Sequence, residues 1–405
     1  MRIKLITIIM LLCAVLLGCE NGNGNNNVDG KEIFTIGVFA ESTFAFETEN
    51  LVALFNEANE QYHAEIVYFP NAERLKLSFT SGNQPDVVNF DGYTLSDELL
   101  GNNGLMQDLY FLIDKDEQFN REDLVESYLT CAEQDGRLFS LAPSFNCRSL
   151  VAQTKIVGEN AGWDMEEFVS IVESLPDDMI IMPGMTKSTM LQLLIEQTIS
   201  NYVDIKNGTC CFTCNDFYAL LELCDTYFPD QVDSENQSSV ANGTALMETV
   251  YSVGGLSGLA SMISGYNQTQ VVTPKGYPGA DGNGAVLYWY NSYGITKYTE
   301  HEDAAWAFIK WIVSETYQTS IVTSMPVSKA VMDSRYAILS KNDNSSELHQ
   351  AKELVDGATV GTLYQSEIID IVTEEAAAFF AHDISVENAS DTIQTRVMIY
   401  LGEIT

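Results

Sequence analysis

Between residues 34 and 90 one pattern recurs: a short apolar run, then a stretch with helical spacing. The run FTIGVF at 34–39 precedes Leu51, Leu54, Phe55 and Ala58, which fall on one face of a helix. AEIVYF at 64–69 leads into a second helical stretch that Gly82 ends, and PDVVNF at 85–90 makes a third strand. Strand and helix alternating at this pace form parallel crossover units, so the predicted core is an open α/β sheet. Ligands of such sheets bind beyond the carboxyl ends of the strands, which points to 41–44 after the first strand and 91–93 after the third.

Past a turn at Asp135 and Gly136, LFSLAPS at 138–144 reads as a short strand, and the alternation then restarts. GWDMEEF at 162–168 carries Asp164 with Glu167 three residues on, a capping box that opens a helix, with Trp163 placed as its staple. MIIMPG at 179–184 reads as a strand, helices are expected from about Ser188 and near Cys214, and TALMETVY at 244–251 as another strand. GYPGADGNG at 276–284 forbids regular structure, and the long alternating run AVLYWYNSYGI at 285–295 follows it. Ala305, Phe308, Ile309, Ile312 and Val313 mark a helix, and two more fill 365–381 and 386–402. A chain of 405 residues, 46% hydrophobic, exceeds one ordinary core and suggests two lobes.

At the start, Arg2 and Lys4 precede an apolar run at 5–17, too short for a span of about 20 residues and suited to a secretory signal. Leu16, Leu17, Gly18 and Cys19 resemble the lipobox of bacterial lipoproteins, in which the signal is cut before a lipid-bearing cysteine; Cys19 is then the N-terminus and 20–30 a Gly- and Asn-rich leash. The formal charge of −37 disfavours nucleic acid and anionic ligands and tolerates neutral or cationic ones. Cys131 and Cys147 stand apart, while Cys210, Cys211, Cys214 and Cys224 crowd within fifteen residues. One Cys-x-x-Cys without a second paired knuckle argues against zinc, and a disulfide within the cluster and free thiols both stay open.

The order of these pieces resembles that of the family 1 extracellular solute-binding lipoproteins, the carbohydrate receptors of ABC importers. The likeness is carried by TSGNQPDVVNF, EQDGRLFSLAPSF, GWDMEEF, GYPGADGNG, GITKYTEHEDAAWAFIKWIVSE with MPVSKAVM, and EEAAAFFAHDISVENASDTIQTRVMIYLGE, in that order. It implies an α/β, periplasmic-binding-protein-like type II fold, two α/β lobes joined by hinge crossings with an interlobe cleft that closes on a sugar. On this sequence it implies a signal at 1–18, a lipidated cysteine and flexible tether at 19–30, lobe 1 at 31–141 plus 294–324, and lobe 2 at 146–283 plus 331–405. The hinge crossings fall near 142–145, 285–293 and 325–330. The resemblance further implies a monomer on the outer face of a bacterial cell membrane. It hands its ligand to permease subunits driven by a separate ATPase.

Sugars present apolar faces edged by hydroxyls, so a sugar site needs flat aromatics and planar polar groups. In 285–295 a period of two sets Tyr288, Tyr290 and Ser292 on one face and Trp289, Asn291 and Tyr293 on the other. Trp289 and Asn291 are the candidates from this run, against core packing and backbone satisfaction as the plainer roles. Tyr251 follows a strand where related sugar receptors often hold a stacking aromatic. Glu41 and Asp91 are either solvated loop acids or acceptors of sugar hydroxyls, Tyr93 stacks or merely covers its lobe, and Phe145 at the first crossing is core or platform. Trp163, Trp306 and Trp311 read as structural.

No catalytic residue, metal or cofactor is expected. His63, His301, His349 and His382 are scattered, and neither a Gly-x-Ser-x-Gly elbow nor a phosphate loop is present. An acid pair such as Glu41 with Asp91 would cleave a glycosidic bond only at a separation that sequence does not reveal.

Overall fold

The computed structural model describes residues 27–28, 30–42, 44–91, 101, 103–205, 207–233, 237–342, 345–361 and 366–404. Cys19 and Tyr93 lie outside them, as do the signal and most of the leash. Strand β1 (Lys31–Phe39) is parallel to β2 (Tyr62–Phe69) and β3 (Val87–Phe90), linked by helices α1 (Ala45–Ala58) and α2 (Ala72–Ser81). Helix α2 starts where the Asn71 side chain accepts from the Arg74 amide at 3.0 Å and stops at Gly82, whose φ of 71° is left-handed. Phe34, Ile36 and Val38 on β1 are buried against α1 through Leu51 and Phe55.

After α3 (Glu126–Ala132) the chain enters a second sheet as β4 (Ser144–Gln153). Helices α4 (Met165–Glu173), α5 (Lys187–Thr198) and α6 (Asn215–Tyr227) follow, then β5 (Met247–Tyr251), α7 (Gly255–Asn267), β6 (Val272–Pro274) and β7 (Val286–Tyr288). β4 is the axis of this sheet, antiparallel to β5, β6 and β7. Its alternation decides two cores at once. Phe145, Cys147 and Val151 face a cluster shared with α3 and α7, whereas Leu150 and Ala152 face a second one under α4, α5 and α6.

From β7 the chain recrosses as β8 (Ser292–Ile295), antiparallel to β3, so the first sheet runs β2-β1-β3-β8. β8 comes close to the preceding crossing: a Cβ on Gly294 would stand 2.3 Å from the Phe139 carbonyl oxygen, which only glycine permits. Helix α8 (Glu302–Ile312) then packs on β1, β2 and β8. A third passage, β9 (Met325–Pro326), pairs with the start of β4. Helices α9 (Lys329–Asn342) and α10 (Ser346–Asp356), strand β10 (Val360–Gly361) beside β7, and helices α11 (Ser366–Phe380) and α12 (Val386–Ile404) follow; α9 packs on β9, α10 on α7, α11 on α5 and α12, and α12 on α6. The molecule is therefore two α/β lobes.

Several local readings change. MIIMPG forms no strand, only a single bridge between Ile180 and Ala245, because Pro183 and Gly184 end the run. LFSLAPS holds a bridge between Leu141 and Tyr293 and, at Ser144, the start of β4, and 285–295 is two strands broken at 289–291. Asp164 does cap α4, accepting from the Glu167 amide at 2.7 Å, and Trp163 packs edge-on against Phe168 as the staple. The Glu167 carboxylate, however, turns to buried Lys275 at 3.0 Å rather than closing the box. Trp306 and Trp311 are structural: Trp306 donates to Asp116 at 2.8 Å and Trp311 lies edge-on to Phe55.

Candidate interlobe binding site

A cavity of about 570 Å³ opens where the two sheets meet, walled by α1, the start of β4 and the 288–293 crossing. Helix α1 has no side-chain cap; its first amides fold back on Phe44 and Ser42, leaving the Phe44 ring at the cavity and Glu47 in the first turn. An acid suits that position, since the helix N-terminus carries partial positive charge. Phe44 lies nearly parallel to Tyr290, centroids 5.0 Å apart at 17°, and Tyr288 meets Tyr290 edge-on at 5.6 Å. Three rings thus run from lobe 1 across the hinge into lobe 2. Burial, with Tyr290 alongside, pushes the Tyr288 hydroxyl well above its ordinary range, so it acts as a neutral donor and acceptor.

The polar side of the cavity is built on a relay that runs from buried Asn89 and Asn291 to exposed Glu47. Asn291 donates to the Glu47 carboxylate at 3.1 Å and accepts from the Asn89 amide at 3.3 Å. Asn50, Ser144 and Asn146 add uncharged donors and acceptors. On the second sheet Asn146 stands opposite Tyr288, and two residues on Arg148 stands opposite Tyr251, so all four share one face. Arg148 is held by Glu196 at 3.3 Å and lies over the Tyr277 ring, whose hydroxyl burial pushes up. Beyond the cavity's lining, that sheet face continues to a charge-compensated arginine beside Tyr251.

The residues singled out in the sequence fare unequally. Asn291 lines the cavity and is 7% exposed, and Tyr251 is exposed on the wall that continues from it. Trp289 does not face it with them: its ring packs edge-on against Tyr128, 5.2 Å away, on the core side of the crossing. Phe145 is fully buried and stacked on the same Tyr128, so the core reading wins and no face is left for a ligand. Asp91 is buried at the end of β3, and Glu41 is exposed beyond β1 but is not a wall of the cavity. Sequence reasoning placed Phe44 in the segment after the first strand without naming it as a contact, and missed Glu47, Asn146, Tyr288 and Tyr290. The alternation at 285–295 held Tyr288 and Tyr290 as the opposite face, and no signal in the run said which face met the core.

A larger cavity, about 700 Å³, lies within lobe 2 between the ends of α4 and α6 and touches neither sheet crossing. Among the described residues there is no group of three or more His, Cys, Asp or Glu able to hold a metal, and no helix long and apolar enough to cross a membrane.

The sequence pattern of the bacterial extracellular solute-binding protein family matches residues 44–319. No curated protein matches the chain. Among solved structures, the sugar-binding protein MalE from Xanthomonas citri has 15% identity and a TM-score of 0.61, over 92% of this chain and 98% of its own. A periplasmic oligogalacturonide binding protein from Yersinia enterocolitica has 13% identity and a TM-score of 0.60, over 92% and 99%. An extracellular solute-binding protein of family 1 from Alicyclobacillus acidocaldarius has 13% identity and a TM-score of 0.56, over 93% and 100%. At such identities the likeness establishes the two-lobed fold. The family match, spanning most of the chain from the head of α1 to the approach of the third crossing, establishes more: this chain belongs to the bacterial extracellular solute-binding proteins.

Proposed function

We propose that the protein is a lipid-anchored receptor that captures a neutral carbohydrate, an oligosaccharide in size, between its lobes and delivers it to an ABC importer's membrane subunits. The observation that carries this reading is the ring series Phe44, Tyr290 and Tyr288 set beside Glu47, Asn291 and Asn146 in one interlobe cavity. Flat faces beside planar hydroxyl partners suit a sugar ring. The solved structures of similar fold whose names mention sugar-binding and oligogalacturonide binding support the ligand class. The overall charge of −37 favours an uncharged ligand over a uronate.

The ligand touches both lobes only when they close, so its extra contacts favour the closed form that the permease subunits read; ATP is hydrolysed by a separate subunit. The receptor itself makes and breaks no covalent bond and works as a monomer. Lobe 1 is 31–141 plus 294–324 and lobe 2 is 146–283 plus 331–405, with Cys19 carrying the lipid and 20–30 the tether. Tyr251 and Arg148 extend the site along lobe 2, Glu41 flanks its lobe 1 rim, and Tyr93, outside the described residues, is a further contact proposed from the sequence alone.

Thermal shift against a panel of oligosaccharides, amino acids and polyamines tests the reading. A ligand at 100 times its dissociation constant adds about 2.7 kcal/mol of stability. Neutral oligosaccharides are expected to raise the melting temperature and Tyr290→Ala to abolish the shift without lowering the unliganded value by more than a few degrees. Stabilisation by an amino acid or polyamine alone makes this a receptor for another solute, and release of shortened sugars makes it an enzyme. Loss of labelled fatty acid in Cys19→Ser checks the anchor.

A further inference from the structure

Lobe 2 carries a feature that solute capture does not use. The segment Cys210–Cys211–Phe212–Thr213–Cys214 runs straight into α6, with Cys214 as its N-cap residue. It is held rigidly from both sides. Gln394 of α12 accepts from the Phe212 amide at 2.7 Å and donates to the Cys210 carbonyl at 2.9 Å, and the Phe212 ring stacks on Tyr202 and meets Phe217 edge-on. The clamp sets Cys211 and Cys214 three residues apart at the head of α6, with the Cys214 thiol donating to the Cys211 carbonyl at 3.4 Å. Cys211 is exposed and Cys214 half-buried, whereas Cys131, Cys147 and Cys224 are buried and Cys210 is turned toward the Gln394 carbonyl.

We propose that Cys211 and Cys214 are a dithiol–disulfide pair, with Cys211 the thiol that meets an external disulfide and Cys214 the thiol that resolves it. The Cys211 thiolate attacks a sulfur of a low-molecular-weight disulfide, or of a thiol–disulfide oxidoreductase, and expels one thiol. Cys214 loses its proton, attacks the Cys211 sulfur and expels the second. The two protein thiols are oxidised by two electrons, and the external disulfide is reduced to two thiols. The Cys214 thiol already lies against the Cys211 backbone, so closure needs little more than rotation of the two side chains. Cys214 at its side, and then burial, hold the Cys211 thiol above its ordinary range, which leaves the reduced form without the thiolate stabilisation that makes a disulfide easily reduced. The tyrosine on the adjoining turn, Tyr218, feels Asp391 and Glu387 together with both cysteines, so the surroundings are anionic as well. A family that works outside the cell meets the oxidants this chemistry needs.

The test is thiol trapping on the folded full chain after exposure to oxidised glutathione, followed by intact mass and peptide mapping. The expected wild-type product has lost two hydrogens, carries no glutathione and yields one Cys211–Cys214 linked peptide. Cys131, Cys147 and Cys224 become alkylated only after denaturation. Cys214→Ser is expected to keep glutathione on Cys211, and Cys211→Ser to stay unmodified at 214. A wild-type chain that retains both thiols, a persistent glutathione adduct on it, or a link through Cys210 each overturns the assignment. Should Cys214→Ser fail to fold, the time course of the wild-type mixed disulfide at Cys211 decides alone: it must appear before the linked peptide.

Discussion

Asn291→Asp tests the hinge relay most sharply, because it changes one group and leaves the shape alone. The carboxylate keeps an acceptor for the Asn89 amide, now at 3.3 Å, but replaces the donor that faces Glu47 at 3.1 Å. Loss of a hydrogen bond to a charged acceptor costs about 1.5 kcal/mol. Two carboxylates about 4 Å apart repel by about 4 kcal/mol at an effective dielectric constant of 20 and by about 1 kcal/mol in water. Asn291 is buried but Glu47 is exposed, so the repulsion falls toward the lower figure. The variant is expected to lose about 3 kcal/mol in urea unfolding near pH 7.5. The introduced pair has its folded-state pKa raised, so the penalty is present above that value and fades as pH falls and one acid takes a proton. Unfolding near pH 5 should recover part of the loss, and Glu47→Gln in the same background should recover the repulsive part at both pH values. An Asn291→Asp protein as stable as wild type near pH 7.5, or one that Glu47→Gln does not rescue, would refute the relay as drawn.

Two further perturbations read other parts of the frame. Gln318 is fully buried and donates to the carbonyls of Pro143 and Ile312, both at 2.6 Å, while accepting from the Ser328 amide at 3.2 Å; Gln318→Leu strands these groups at about 1–3 kcal/mol each, and guanidinium unfolding should register a loss of at least about 3 kcal/mol. Burial pushes the Asp116 carboxyl up, but hydrogen bonds from Lys310, Trp306 and the Gln118 amide outweigh it and hold the group below the usual carboxylate range. Its contribution is therefore present above its unfolded pKa and lost as pH falls through the folded value, so Asp116→Asn should destabilise the chain at neutral pH and cease to differ from wild type in acid, by melting temperature across a pH series.

The strand–helix rhythm of 34–90 was enough to place β1, β2, β3 and the helices between them: burial on both faces writes β3 and the end of β1 as continuous apolar runs, and β2, half exposed at Val67 and Tyr68, still carries enough β-branched and aromatic residues to show. The same rule failed for β4. Its first five residues, SFNCR, alternate because one face meets a core and the other the cavity, and polar residues on the cavity face hide the strand. Helix α9 was missed for a related reason: only Val331 and Met332 are buried along its fourteen residues, so it carries no apolar stripe. At the site, the run 285–295 revealed a pair of faces, but which one faced the core depends on Tyr128, more than a hundred and fifty residues earlier, taking both Phe145 and Trp289. That is a long-range packing fact with no local trace.

Polar side chains gather at the crossings for a reason that bears on function. A strand leaving one sheet for another loses its ladder partners before it gains new ones, and its backbone groups must find hydrogen bonds elsewhere. At the first crossing the Ala142 amide donates to the Tyr128 hydroxyl at 2.7 Å, and the Pro143 carbonyl takes the Gln318 amide. At the second, the Ser292 carbonyl and the Asn291 side chain share the Asn89 amide, and Ser140 meets Ser292 hydroxyl to hydroxyl at 2.9 Å. Near the third, the Ser328 amide uses Gln318 again. Side-chain partners tolerate a few degrees of backbone rotation better than a rigid ladder does, because their own torsions absorb the change. Groups partnered in this way keep their hydrogen bonds through a small rotation, and at the second crossing the same requirement leaves an uncharged amide, Asn291, beside the rings. In this chain Asn291 belongs to both sets, accepting from Asn89 at the crossing and donating to Glu47 at the cavity.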